Sequence, residues 1–408
     1  MISKLSNNKK VKVGVIGLGR GFMLTLPSLI ANNNIKLWAA CSSRVEARTR
    51  FKKDFGGETY KKYDEMLCDT DLDVVYVATP HEHHAKHAVA ALEAGKIVLL
   101  EKPMSVSMED AYLIVEASSK SGCGVIVGPS HSFDPAVMEA LSLIKSGDFG
   151  KVKLVQSSYH TNFMYRPRRP EELDTSRGGG VIYSQGAHQF DVARAFAGGI
   201  GETLIGYTGI WDQSRKSETA YTTMISFQGG AVANLTYSGN DFYDSDIEMN
   251  NISELGHKKI IDPGASRRIL AKLAKNSEAD LKKIRSYQGL EVMRQSRGVT
   301  KPADGNEHFG VWKVSLEKAD LVVFNNRVEV YHEDGKFVQN VATPKGFSRQ
   351  IVCDALVDLV TKGISPLQTA SWALGTLECC DALLNSSKNG SAVDLIRQIP
   401  VNGHPNLV

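Results

Sequence analysis

Near the N-terminus a largely apolar run, Val11 to Ile16, passes directly into Gly17-Leu18-Gly19-Arg20-Gly21. Such a run suits a strand covered on both faces, and the glycines permit a turn too tight for side chains. Few folds place a buried strand, a glycine turn and a helix in that order, so this stretch restricts the chain more than its composition does. Similar runs recur at Ile35–Cys41, Val74–Ala78, Lys96–Glu101 and Val125–Gly128. Helical periodicity fills the gaps at Phe22–Ala31, Val45–Phe55, Glu82–Ala94 and Ser107–Ser121. Strands alternating with helices predict an α/β fold, a doubly wound parallel sheet over residues 1–133.

From Phe133-Asp134-Pro135 onward the pattern changes. Asp134 reads as an N-cap with proline at the first helical position, opening a helix that ends near Lys145. Strand-like runs then cluster at Val152–His160, Leu204–Trp211, Thr219–Phe227, Ala231–Ser238 and Val328–His332, and helical periodicity returns at Arg349–Thr361 and Pro366–Leu384. This predicts a second, α+β domain over residues 134–408 with a large, mostly antiparallel open sheet. Residues 257–301 stand apart, with twelve Lys or Arg against four Asp or Glu. They read as a basic insertion, with a helix expected over Ser277 to Arg297.

The bulk properties narrow the function. A net charge of +3 over 408 residues is too small for an electrostatic footprint on nucleic acid. No run reaches the roughly 18 apolar residues of a membrane span. Six cysteines lack metal-ligand spacing, and the polar first ten residues show no secretory pattern, so a reduced, cytoplasmic protein is expected.

The turn at Gly17, Gly19, Arg20, Gly21 and Phe22 lies where a dinucleotide pyrophosphate meets a helix N-terminus. Its sixth position is Phe22, with a glycine one residue early at Gly21. After the second strand come Ser42, Ser43 and Arg44, with no carboxylate for a ribose 2′-hydroxyl. Hydroxyls with an arginine suit a 2′-phosphate, which favours NADP and leaves NAD open.

Two further clusters carry chemistry. Glu101-Lys102-Pro103 sets a lysine at the carboxyl end of an apolar strand, where partial burial tunes an amine for proton transfer. Gly178-Gly179-Gly180 leads into a helical stretch with Ser184 and His188 four residues apart and Asp191 one turn on. His83 and His87, within His81-Glu82-His83-His84-Ala85-Lys86-His87, have helical i, i+4 spacing, but no metal is expected. Between the clusters lie Tyr165, Arg166, Arg168, Arg169 and Arg177. Prolines stiffen that loop, and a planar guanidinium matches a carboxylate.

The glycine turn, Ala78-Thr79-Pro80, Glu101-Lys102-Pro103 and the triple glycine with His188 and Asp191 together resemble the Gfo/Idh/MocA oxidoreductase family. The resemblance implies a Rossmann domain carrying a nicotinamide cofactor and a C-terminal domain with an open sheet. It implies that Thr79, Pro80, His81, His84, Glu101 and Lys102 lie by the cofactor, with Lys102 and His188 as the catalytic pair. Members commonly have aspartate where this chain has Ser184, a departure that removes a carboxylate from the polyol-dehydrogenase proton relay. Ser130-His131-Ser132-Phe133-Asp134, the arginine loop and Ser184 to Gln189 are similar to the phthalate 4,5-cis-dihydrodiol dehydrogenase branch. That implies an anionic small-molecule substrate touching His131, Tyr165, the arginines, Ser184 and His188, and a homodimer or homotetramer. Sugar or inositol oxidation is the alternative, and a non-catalytic NAD(P)-sensing regulator a further one that Lys102 and His188 together argue against.

Overall fold

Six parallel strands build the first sheet, in the order β3-β2-β1-β4-β5-β6. They are β1 (Val11–Ile16), β2 (Ile35–Cys41), β3 (Glu58–Tyr60), β4 (Val74–Val77), β5 (Ile97–Leu100) and β6 (Val125–Val127). Helices α1 (Arg20–Ala31), α2 (Val45–Phe55), α3 (Tyr63–Leu67), α4 (His84–Glu93) and α5 (Met108–Ser121) alternate with them. β1 sits centrally, Val13 lying between Leu37 on one side and Val74 on the other. Order reverses about β1, which sets a crevice at its carboxyl end. Ser107 caps α5 by accepting from the Asp110 amide at 3.1 Å, a bond worth about 1 kcal/mol.

The second sheet has nine strands, ordered β14-β13-β12-β11-β7-β10-β9-β8-β15. In chain order these are β7 (Val152–His160), β8 (Gly201–Gly209), β9 (Ala220–Phe227), β10 (Val232–Ser238), β11 (Trp312–Leu316), β12 (Ala319–Val323), β13 (Arg327–His332), β14 (Gly335–Asn340) and β15 (Val393–Asp394). Every pairing is antiparallel except β7 with β10. Its helices are α6 (Pro135–Lys145), α7 (Ala187–Ala197) and α8 (Ala265–Ala271); beyond them come α9 (Ser277–Ile284), α10 (Gln350–Lys362) and α11 (Ala370–Asn389). All of α7 is buried. Phe190, Val192 and Phe196 are inaccessible, each side chain contributing about 1.5–3 kcal/mol by leaving water. Gln189 ties this helix to the sheet, its Nε2 donating to Ser157 Oγ at 3.2 Å and its Oε1 accepting from Tyr221.

The computed structural model describes residues 10–273, 277–284, 286–287, 303–343, 347 and 349–407. Contacts divide the chain into one unit of Met1–Pro129, Asn276–Pro302 and Lys345–Ala373, and another of Ser130–Lys275, Ala303–Pro344 and Leu374–Val408. The chain thus returns to the first unit twice after leaving it. Asn32 Nδ2 donating to Asp354 Oδ1 at 2.8 Å is one bond that anchors a return. Of the expected basic helix, Ser277–Ile284 is helical, and positions 288–297 lie outside the described residues. No helix among the described residues is long and apolar enough to cross a membrane.

Candidate active site

In the first unit the glycine turn is shaped by backbone. Gly17 has φ +94°, and a Cβ there would stand 2.7 Å from the Ala78 carbonyl oxygen. Gly21 packs on the Glu101 carboxylate, whose atoms would lie 3.1 Å from an added Cβ, so the early glycine takes the close-approach role. Gly19 differs: its nearest neighbour would be 3.7 Å away, an ordinary contact. α1 begins there with no side-chain cap and no acidic residue in its first turn. A helix end of this kind, behind a glycine that protein packing does not require, fits a pyrophosphate.

Glu101 follows β5 and is buried, accepting from the Tyr76 hydroxyl at 2.5 Å and facing Arg349 at 3.9 Å. Its carboxylate therefore holds the floor of the turn. Lys102, half-buried, comes next. His84 fixes its surroundings. This fully buried ring has Nδ1 2.8 Å from the Pro103 carbonyl and Nε2 3.0 Å from the Thr79 carbonyl. It pins the turn after β4, with Thr79 and Pro80, to the turn after β5, with Lys102. Burial outweighs both bonds and lowers the pKa of His84. His81 packs edge-on to His84. His83 and His87 stack edge to face at 6.0 Å, and the Thr79 hydroxyl lies 3.2 Å from His87 Nδ1.

Ser42 is buried at the end of β2, Ser43 is exposed, and Arg44 reaches back to donate through Nη2 to the Leu18 carbonyl at 2.7 Å. Arg20 and Phe22 open α1, with Phe22 inaccessible.

In the second unit the expected N-cap has another use. Asp134 makes no capping bond with its side chain; its carboxylate binds His131 Nδ1 at 2.7 Å. His131 Nε2 then faces Glu254 at 4.0 Å, and Glu254 meets Arg166 Nη1 at 3.3 Å. The His188 ring lies 4.6 Å from that of His131, and Phe309 packs on both. Burial opposes a charged His131, but Asp134 and Glu254 prevail and hold its pKa above the ordinary value. Burial likewise opposes ionised Glu254, and His131, Arg166 and His188 keep it well below the carboxylate range. One ligand atom each from His131, His188 and Glu254 lie within 4.8 Å of one another, a spacing one cation could span. Arg166 already neutralises that carboxylate, which suits the cluster to proton transfer and anion binding.

α7 presents His188 after a π-helical turn, Ile182–Gly186, that carries Ser184. The wider turn breaks the α-helical i, i+4 relation expected for these two residues. Ser130 and Ser132 both donate to Asp191, tying the His131 turn to α7. Arg166 is the loop arginine brought to this cluster. Arg168 stacks on Phe163 at 3.7 Å, Arg169 pairs with Glu172, and Arg177 lies 3.9 Å from Glu171. Tyr165 donates to Asp212 at 2.5 Å beneath the Arg267 guanidinium. Sequence reading missed Glu254 and Phe309, which lack a local motif and join the cluster only through sheet topology. Asp134, three residues after His131, could have been found as its partner by spacing.

Comparison with known proteins follows from this geometry. Residues 11–129 match the Gfo/Idh/MocA "Oxidoreductase family, NAD-binding Rossmann fold", and residues 137–253 match a Gfo/Idh/MocA C-terminal domain. A 1-carboxy-3-chloro-3,4-dihydroxycyclohexa-1,5-diene dehydrogenase of Comamonas testosteroni is 40% identical over 387 residues, 93% of this chain and 95% of that one. The chain belongs to the Gfo/Idh/MocA oxidoreductase family. It is an NAD(P)-dependent dehydrogenase. A solved protein of Bordetella bronchiseptica RB50 superposes with TM-score 0.88 at 34% identity, covering 94% of this chain and all of that one. An inositol 2-dehydrogenase of Saccharopolyspora erythraea is 26% identical over 62% of this chain and 74% of its own length.

Proposed function

We propose that this enzyme oxidises a carboxylated cyclic cis-dihydrodiol to a catechol, with NADP favoured over NAD. Arg166 carries the reading. Its side chain is 36% exposed, and among the described residues the one hydrogen bond of its guanidinium goes from Nη1 to Glu254. A planar cation beside a buried His131–His188–Glu254 cluster suits a substrate carboxylate next to the groups that move protons. The relative from Comamonas testosteroni acts, by its name, on a carboxylated cyclohexadiene diol.

The dinucleotide would be held by Gly17, Gly19 and Gly21, by the N-terminus of α1, and by Ser42 to Arg44. When bound, an oxidised nicotinamide would supply the acceptor for the hydride that leaves the carbinol carbon. Lys102, as the neutral amine, takes the proton of the hydroxyl group. His188 exchanges a proton with a substrate hydroxyl, and Glu254 with His131 sets its electrostatic surroundings. Loss of the ring proton from the neighbouring carbinol carbon then gives an aromatic product, which makes oxidation strongly favourable. His131, Tyr165 and Ser184 complete the substrate contacts; Arg168, Arg169 and Arg177 support the loop through Glu171 and Glu172.

The alternating burial of β8 and β9 leaves Ile205, Tyr207 and Met224 exposed on one sheet face. That face fits a homodimer or homotetramer, which light scattering after gel filtration tests. The function itself is tested by absorbance at the reduced-nicotinamide band, with NAD or NADP against phthalate-type dihydrodiols, inositols and sugars. Turnover of the dihydrodiol with both carboxylates, ahead of every polyol, is expected. Faster turnover of an inositol or sugar contradicts the proposal, and no turnover at all returns the regulatory reading.

A further inference from the structure

The basic stretch has an unexpected place. Ser286 and Tyr287, just beyond α9, are buried in the first unit beside the glycine turn. Tyr287 is 1% exposed, edge-on to Phe22 at 5.4 Å and stacked 6.3 Å from Phe55. Its hydroxyl donates to Asp54 Oδ2 at 2.8 Å. Ser286 Oγ accepts from Arg44 Nη1 at 3.2 Å, while Nη2 of the same arginine is held by the Leu18 carbonyl. Phe22 thus has a partner at the position where the glycine pattern departs from its usual form.

We infer that Ser286 and Tyr287 belong to the cofactor site and form the outer wall of its adenosine-ribose subsite. The inference rests on the first unit being the dinucleotide site. In this fold the residues after β2 meet the adenosine ribose, and Arg44 is among them. A free arginine gives up rotamer freedom when a ligand fixes it. Here Leu18 and Ser286 fix it beforehand, one acceptor from the turn and one from the arm. Tyr287 anchors the arm: a buried aromatic ring with a satisfied hydroxyl is a strong attachment point. Tyr287 therefore holds the arm on α1, and Ser286 aims Arg44 at the 2′ substituent.

Calorimetric titration of the full chain with 5′-AMP and with 2′,5′-ADP tests this. Tyr287→Ala is expected to weaken both probes about tenfold, and Tyr287→Phe to keep most of the affinity. Ser286→Ala should weaken 2′,5′-ADP about fivefold and leave 5′-AMP within about twofold, as expected for losing one bond to a charged group. Should Tyr287→Ala not fold by near-ultraviolet circular dichroism, Tyr287→Leu takes its place. The inference is overturned if folded Tyr287 variants and Ser286→Ala bind both probes like wild type, which would make the arm a structural plug. A wild type that binds the two probes equally removes the NADP preference alone, and the loss of 5′-AMP affinity in Tyr287→Ala still decides the role of the arm. Failure of wild type to bind either probe removes the dinucleotide reading itself.

Discussion

Replacing His84 by alanine separates positioning from packing at the lysine turn. The ring is fully buried and bridges the carbonyls of Thr79 and Pro103. Burial lowers its pKa, and of its two contacts the one from Nδ1 to the Pro103 carbonyl is the shorter. Losing that bond leaves a buried carbonyl unsatisfied, at about 1–2 kcal/mol. The vacated ring volume adds about 2–3 kcal/mol by analogy with other large-to-small core changes. Together these predict a loss of about 3–5 kcal/mol in the first unit, measured by urea unfolding. The kinetic consequence is more specific. Pro103 follows Lys102 directly, so freeing its carbonyl lets the amine shift, and a displacement near 1 Å costs about 10- to 100-fold in kcat. Cofactor Kd, set by the glycine turn, should change less than about threefold, because uniform binding is untouched. If stability falls as stated while kcat stays at the wild-type value, His84 packs the turn without positioning the lysine, and the reasoning fails.

Further outcomes follow from neighbouring residues. Gly17→Ala should destabilise by about 2–4 kcal/mol, since it combines a positive φ with a clash on the Ala78 carbonyl, whereas Gly19→Ala should leave stability nearly unchanged and weaken dinucleotide binding. Equal effects of the two in unfolding and titration experiments would contradict the assignment of Gly19 to the ligand. Lys102→Ala should lower kcat about 10²- to 10⁴-fold with cofactor Kd preserved, and undiminished turnover would remove it as the base. Burial, with His83, His84 and Lys86 nearby, lowers the pKa of His87 from 6.5 to about 4. The unfolded chain then takes up that proton more readily, so the stability is complete above 6.5 and is lost as pH falls toward about 4. The wild-type urea midpoint should fall relative to that of His87→Gln as pH drops from 6.5 toward about 4, with a constant offset above that window; parallel curves throughout would show that His87 contributes no such linkage.

How far the sequence reaches depends on how local each signal is. β1, the glycine turn and α1 are adjacent in the chain, and the turn follows from glycines that a strand end requires. That the first sheet is parallel follows from alternation, whereas its order, reversing about β1, does not. β3 has three residues, too short for a pattern, and β14 is exposed throughout, so neither has a buried face to announce it. Burial in β11 and β12 alternates within five residues, about the shortest run from which period two is readable. Lys102 and His188 stand in local motifs, but Glu254 enters the cluster through a fold-level approach to His131 that no spacing encodes. Composition marks residues 257–301 as basic, yet the attachment of Tyr287 to Phe22 is a tertiary contact between positions remote in the chain. Asp134 stands at the N-cap ahead of Pro135, as its local pattern predicts, but its carboxylate binds a buried imidazole instead of the helix amides.

The central claim is that a dehydrogenase of this family recognises a carboxylated ring through Arg166. The most direct test is the ratio of kcat/KM for a carboxylated cis-dihydrodiol to that for the same ring without carboxylates, measured in wild type and in Arg166→Ala. A charge-assisted bond of about 1.5–3 kcal/mol predicts that the wild-type preference is about 10- to 100-fold larger than that of the variant. A preference that survives intact in Arg166→Ala, or a wild type indifferent to the carboxylates, would contradict the account.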